Sequence, residues 1–450
     1  MRSPSSLIPA PYRLPRCPTP DARIGSNRSD RHRPTATLNP GGSVMRFRRP
    51  ASRRALTAIV ATVASFSLVA GCSGSANTAL PLPPEDQKIT DSTPFLDLLR
   101  PQITSSVKSG AVNVAPGEPV RVSVAGGTLT RVVMTNPDGK QVQGALSPDG
   151  RSWSNSEPLG YNKQYKLRAE ANGVGGVNVA NETFTTESPN SLTQAYLSTA
   201  DNSVVGIGQT VGVKFDEKIG DRLAAQRAIK IVTDPPVEGA FYWISQSEVR
   251  WRPENFFKPG TKVNIDVKIY GVDLGNGLFG QKDVSSKFTV GDEVITTVSD
   301  KDKIVRVTRN GKLEKTMPTS MGGTGNETPN GIYMIGDHRE NMIMDSSTYG
   351  VAVNSPNGYR TQVDYAIQMS YSGIYLHSAP WSVSQQGVTN VSHGCLNVST
   401  ENALWYMQNT KRGDIVKVTD TAGPTLEGAD GLGDWNVPWS VWKAGNAKVG

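Results

Sequence analysis

GIYLHSAPWSVSQQGVTNVSHGCLNVS, residues 373–399, is the stretch on which the reading of this chain turns. Its first half alternates. Ile374 and Leu376 are apolar and would face a core, leaving Tyr375 and His377 on the opposite face of a strand. Its second half places Cys395 on a tight Gly394-Cys395 turn, two residues after His393 and eighteen after His377. A thiol must lose its proton to attack a carbonyl, and a neighbouring imidazole can take that proton. Glycine at the turn permits close approach and would leave backbone N–H groups free to hold an oxyanion. Ser392 and Asn397 can brace it by hydrogen bonding. Two other readings stand beside this one. His377, His393 and Cys395 could ligate zinc, although a fourth ligand and a second cysteine are missing. Cys395 could also be a buried, inert thiol, which leaves the adjacent Ser-His-Gly unexplained.

Working outward, the cysteine count sharpens the question. The other two cysteines, Cys17 and Cys72, fall in an N-terminal leader. Arginines 46, 48, 49, 53 and 54 form a positive segment, and ALTAIVATVASFSLVA (55–70) is apolar but short for a membrane span. Val69-Ala70-Gly71 then precedes Cys72, which resembles a bacterial lipobox whose cysteine is lipidated. Export with a lipid on Cys72 would anchor the protein to the outer face of the cytoplasmic membrane, facing the wall. Cys395 would then be a lone thiol in an oxidising compartment, and an odd cysteine there needs a reason. Either Met1 or Met45 starts the chain.

The same leader accounts for the charge. The formal net charge is +7, but residues 1–71 hold twelve arginines and only Asp21 and Asp30 on the acidic side. The remainder carries 35 basic against 38 acidic residues. With no basic stripe after residue 72, nucleic-acid binding is excluded.

The rest reads as mainly β. A Ser/Pro-rich tether covers 72–94, after a leader over 1–71. Residues 95–188 and 189–292 read as two tandem immunoglobulin-like sandwiches. PVRVSVAG (119–126) and QYKLRAEA (164–171) alternate, and Asn136-Pro-Asp-Gly and Ser147-Pro-Asp-Gly are turns. Trp153 and Trp251, 98 residues apart, are each followed by a Gly turn, an alternating strand and another Gly-rich turn, a weak internal repeat. GVDLGNGLFG (271–280) could offer Asp273, Asn276 and Gly277 to a structural calcium ion, or be a plain hairpin. A third segment, 293–420, has Asn310-Gly311 between alternating strands. It also holds one helix within 399–413, capped by Ser399 or Thr400 and stopped at Gly413. Residues 421–450 carry Trp435, Trp439 and Trp442, expected to pack back on that third domain.

Ser392-His393-Gly394-Cys395-Leu396-Asn397 with His377 upstream resembles the L,D-transpeptidase catalytic signature. MDSSTYG (344–350), NSPNGYR (354–360), YSGIYLHSAPW (371–381), the lipobox, the two β domains and the Trp-rich tail extend the resemblance to the two-sandwich mycobacterial members over 45–450. The resemblance implies 3→3 peptidoglycan cross-linking from a tetrapeptide donor stem through a Cys395 thioester, with His377 as general base. It implies the Ser378 carbonyl as orienting group, His393 and Gly394 shaping the turn, and Tyr359 near the oxyanion. Ser372, Gly373 and Asn397 match substrate contacts; Met344, Tyr349 and Trp381 match the pocket and its lid. No cofactor is implied, and carbapenem-type β-lactams would acylate the same cysteine. The family's calcium loop carries an acid where this chain has Asn276, which weakens that site. An L,D-carboxypeptidase and a non-catalytic wall-binding lipoprotein are the competing functions.

Overall fold

A computed structural model describes residues 97–355 and 358–448. The leader, Cys72 and most of the tether lie outside the described residues. The described residues belong to one compact unit, and among them no helix is long and apolar enough to cross a membrane.

Two sheets share the first core. One is four-stranded, in the order Gln102–Ser105, Arg121–Ala125, Ser152–Asn155, Gly144–Leu146. The other is three-stranded, in the order Gly127–Thr135, Gln164–Gly173, Gly176–Thr185. The alternation of QYKLRAEA is realised directly: Tyr165, Leu167, Ala169 and Ala171 are buried and pack with Trp153, Met134 and Phe184.

The next unit repeats this plan with two four-stranded sheets. One runs Gly239–Trp243, Glu248–Pro253, Val211–Phe215, Ala195–Leu197, and the other Ser203–Val205, Val284–Val290, Lys262–Val267, Ile229–Asp234. The tryptophan repeat is structural. Trp153 pairs with Leu146 and lies over Gly144; Trp251 pairs with Phe241 and lies over Gly239. A Cβ on either glycine would meet the indole at 2.2 and 2.1 Å respectively. Twelve residues after each tryptophan a buried strand residue follows, Tyr165 and Val263. Each indole therefore needs a glycine two places along the partner strand.

Two of the three donors considered for calcium are engaged by the chain itself. Asp273 Oδ1 accepts the Gly275 N–H at 2.8 Å, and the Gly277 carbonyl accepts from Asn190 N at 3.0 Å. Asn276 sits at φ 59°, as a tight turn asks. Among the described residues no group of three His, Cys, Asp or Glu could hold a metal ion.

The third part combines a five-stranded and a four-stranded sheet. The five strands run Lys312–Pro318, Ile304–Arg309, Val294–Ser299, Ile415–Thr419, Gly331–Met334, and Asn310-Gly311 turns the hairpin with φ 50° and 77°. The four run His338–Asp345, Arg360–Gln368, Tyr375–Ser378, Leu396–Val398. Helix Thr400–Asn409 is capped by Ser399, whose Oγ accepts from Asn402 N. It ends at Thr410, earlier than the Gly413 expected, because Thr410 adopts an extended backbone and returns its N–H and hydroxyl to the Tyr406 carbonyl.

The Trp-rich tail extends another expectation. It packs on the third part as expected, through Asn330, Ile332, Met334 and Tyr371, and its tryptophans also dock on the second two-sheet unit. Trp442 donates its indole N–H to Ala240 O, Trp435 to Gly208 O, and Asn446 exchanges hydrogen bonds with the Trp243 backbone. Arg252 supplies the reason: its guanidinium lies 4.6, 5.5 and 4.4 Å from the ring centres of Trp435, Trp439 and Trp442. Asp434, fully buried, accepts from Thr210 Oγ1 at 2.6 Å and faces Arg250. Ile415 of the five-stranded sheet packs into the same core cluster as Val205 and Ile207. The tail and this shared core bind the second unit to the third part.

Candidate active site

The strand Tyr375–Ser378 and the strand Leu396–Val398 pair in parallel, with Leu376 opposite Leu396 and His377 opposite Asn397. Alternation then places Tyr375, His377, Cys395 and Asn397 on one face, and Leu376 and Leu396 on the other, in the core. That shared face borders a cavity of about 190 Å³ lined by His377, Cys395, Asn397, Tyr359, Met344 and Trp381, among others. A larger cavity of about 700 Å³ lies between the two upstream β units and is lined by no cysteine or histidine.

The cysteine turn is suspended from neighbouring backbone. Ser320 and Asn397 exchange N–H···O bonds, and Ser392 N donates to Met321 O. Within the turn, Ser392 Oγ donates to Cys395 O at 2.6 Å and accepts from Gly394 N at 3.1 Å. The Gly394 amide is therefore engaged, and is not the free oxyanion donor expected from the sequence. Gly394 is required twice over. Its φ is +114°, and a Cβ would meet Ile374 Cδ1 at 2.7 Å. Its carbonyl accepts from Thr328 Oγ1 at 2.8 Å.

His377 is buried, and its Nδ1 lies 2.9 Å from Ser378 O. A carbonyl only accepts, so Nδ1 carries the proton and Nε2 keeps its lone pair. Burial holds this imidazole below the usual histidine range, which keeps it neutral. Trp381 covers the ring at 6.1 Å between centroids while remaining 56% exposed. His393 is exposed at the cavity rim with Tyr359 at 5.0 Å.

Burial pushes the Cys395 thiol up to about 11. Burial thus favours the uncharged form of both groups, the thiol and the neutral imidazole. The Cys395 Sγ donates to the Gly373 carbonyl at 3.6 Å.

The structure does not bring every expected residue to the cavity. Met344, Tyr359, Trp381 and Asn397 line it; Ser372 and Gly373 do not. Gly373 reaches the site through its carbonyl, and the Ser372 amide is taken by Asp430. The Asn397 side chain turns to Ser382 Oγ and does not brace the turn, and its Oδ1 has no partner among the described residues. The side chain of Tyr349 lies outside the described residues. Asp430 and Thr328 carried no local signal, since each acts on a loop some sixty residues away in the chain.

Residues 293–418 match the family described as the L,D-transpeptidase catalytic domain, and residues 111–273 match the bacterial Ig domain. The chain is 55% identical over 399 residues to L,D-transpeptidase 2 of Mycobacterium tuberculosis (strain CDC 1551 / Oshkosh), covering 88% of this chain and 96% of that protein. This chain belongs to the L,D-transpeptidase family. L,D-transpeptidase 5 of Mycobacterium tuberculosis (strain ATCC 25618 / H37Rv) is 33% identical, over 87% of this chain and 85% of its own. A solved L,D-transpeptidase in complex with imipenem is 36% identical, with a TM-score of 0.44, over 50% of this chain and 98% of that one. The chain is thus an L,D-transpeptidase, an enzyme whose family needs no cofactor.

Proposed function

We propose that this L,D-transpeptidase makes 3→3 peptidoglycan cross-links through a thioester on Cys395. The observation that carries this is the single buried face on which His377, with Nε2 unprotonated, and the Cys395 thiol border one cavity. In the first step the sulfur attacks the carbonyl of the diaminopimelate L-centre in a donor tetrapeptide stem. The S–C bond forms, the thiol proton passes to His377 Nε2, and the C–N bond to D-Ala breaks as its amine takes that proton back. In the second step the side-chain amine of diaminopimelate on an acceptor stem attacks the thioester. The new C–N bond forms, the S–C bond breaks, and the amine proton returns through His377 to the sulfur. Tyr359 is assigned to the oxyanion and the unpartnered Asn397 Oδ1 to a donor-stem N–H.

The uncharged pair that burial favours suits such chemistry. A buried thiol of raised pKa is a poor target for adventitious oxidants, and it becomes nucleophilic when a carbonyl is bound beside His377. A carbapenem would use the same step: the strained lactam C–N bond breaks, the S–C bond forms, and the lactam nitrogen takes the proton.

Mass spectrometry of products from purified tetrapeptide stems tests the proposal. Cross-linked dimers together with released D-Ala are expected. Tripeptides without dimers would replace it with an L,D-carboxypeptidase, in which water is the acceptor. We further propose lipid anchoring at Cys72 on the outer face of the cytoplasmic membrane, from the small residues 69–71 before it. Palmitate incorporation should vanish in Cys72→Ala, and incorporation that persists would overturn the anchor.

A further inference from the structure

The C-terminal tail reaches the nucleophile by a route that no cavity-lining residue reveals. Asp430 Oδ1 accepts the Tyr371 N–H at 2.7 Å, and Oδ2 accepts the Ser372 N–H at 2.9 Å. One carboxylate thus holds two consecutive amides of the turn that leads into the histidine strand. Next to Asp430, Gly431 sits at φ +107°, and a Cβ there would meet the Tyr371 ring at 2.3 Å. The tail backbone is wedged against the residue it clamps.

The turn is tied from its other side as well. Ser370 Oγ accepts from Ile374 N at 2.8 Å and from Ser372 Oγ at 3.1 Å, and Met369 N donates to Ile374 O. Between these anchors lies Gly373, at φ +103°. It directs its carbonyl at the Cys395 thiol. Asp430 and Cys395 are therefore joined through two backbone amides and one carbonyl.

We propose that Asp430 is a positioning residue for the nucleophile: by clamping the Tyr371 and Ser372 amides it sets the Gly373 carbonyl where it accepts the Cys395 S–H. A hydrogen bond accepted from S–H favours the neutral form. A donor stem whose own N–H takes over the Gly373 carbonyl releases the S–H toward His377 Nε2, so substrate binding itself arms the nucleophile. The titratable side chains around the sulfur are His377 and His393 and the phenols Tyr359 and Tyr375. Among the described residues no carboxylate or ammonium lines the cavity to mask the effect. The inference rests on Cys395 being the nucleophile.

The test is the rate at which iodoacetamide alkylates Cys395 in the full-length protein, followed from pH 6 to 11 on the Cys395 peptide by mass spectrometry. Wild type, Asp430→Ala, Asp430→Asn and Asn446→Ala are compared. Asn446→Ala loosens the tail at its distant Trp243 anchor and controls for general destabilisation. In Asp430→Ala the profile is expected to move to lower pH, giving alkylation about 10-fold faster at pH 8, the effect of one unit. Asp430→Asn, which keeps one acceptor oxygen, should fall between, and Asn446→Ala should track wild type. An unchanged profile in both Asp430 variants overturns the proposal. So does equal acceleration in Asn446→Ala, which would mark loosening rather than positioning. Alkylation needs no stem peptide, so a failure of wild type to form dimers would count against the cross-linking reading and leave this result separately readable.

Discussion

Cys395→Ala is expected to abolish cross-linking, with dimer formation falling by at least about 10³-fold, the scale seen when a covalent nucleophile is removed. No other cysteine lies among the described residues, and none of the cavity's hydroxyls, Tyr359, Thr361 or Ser392, stands in for it. Ser392 is committed to the Cys395 carbonyl and the Gly394 amide. The substitution should leave the fold intact. It removes one small buried atom at a position the turn geometry does not depend on, for about 1 kcal/mol. Imipenem should label the wild type by the mass of one ring-opened molecule and leave the alanine variant unlabelled. The measurement is the dimer yield from tetrapeptide stems at matched protein concentration, with thermal unfolding as the control. Wild-type dimer yield from the alanine variant would remove the thioester from the mechanism.

Arg252→Ala is expected to give the largest loss of stability, about 3–5 kcal/mol in the unfolding transition of the second unit and tail. The side chain is 2% exposed and stacked against three indoles. Its guanidinium also donates to Val437 O at 2.7 Å and Pro253 O at 3.1 Å. Alanine leaves a cavity among the tryptophans and two carbonyls without their donor. Burial has already lowered the Arg252 pKa to about 10, a sign that desolvating the charge opposes the gain from the rings. Arg252→Met keeps most of the volume without the charge, so it should recover part of the loss. Chemical denaturation followed by tryptophan fluorescence reads both variants. Equal stability of Arg252→Ala and wild type would show that the tail is held by its backbone contacts alone.

The two substitutions act on different kinds of information. Cys395 and His377 stand out in the sequence because a thiol–imidazole pair is marked by residue type and a short spacing alone. The strand around His377 alternates, Gly394 announces a turn, and Ser399 announces a helix. Periods of two and 3.6 residues and the φ preference of glycine are local properties of the chain, and they survive without any knowledge of what packs against what. The twin tryptophans at 153 and 251 are legible for a related reason: the same sandwich geometry demands the same bulky residue over the same glycine twice.

The sequence by itself thus determined a mainly β chain with a histidine and a lone cysteine eighteen residues apart, beside a glycine turn. Only the tertiary structure decided where the tail docks, that the Gly394 amide is already spent on Ser392, and that the Gly373 carbonyl holds the resting thiol. It also decided that Asp430 governs the turn before the histidine strand. Contacts such as Arg252 to Trp442 or Asp434 to Thr210 join residues about two hundred positions apart. No periodicity reports such a pairing, because its energy exists only once burial strips water from both partners and leaves them to compensate each other.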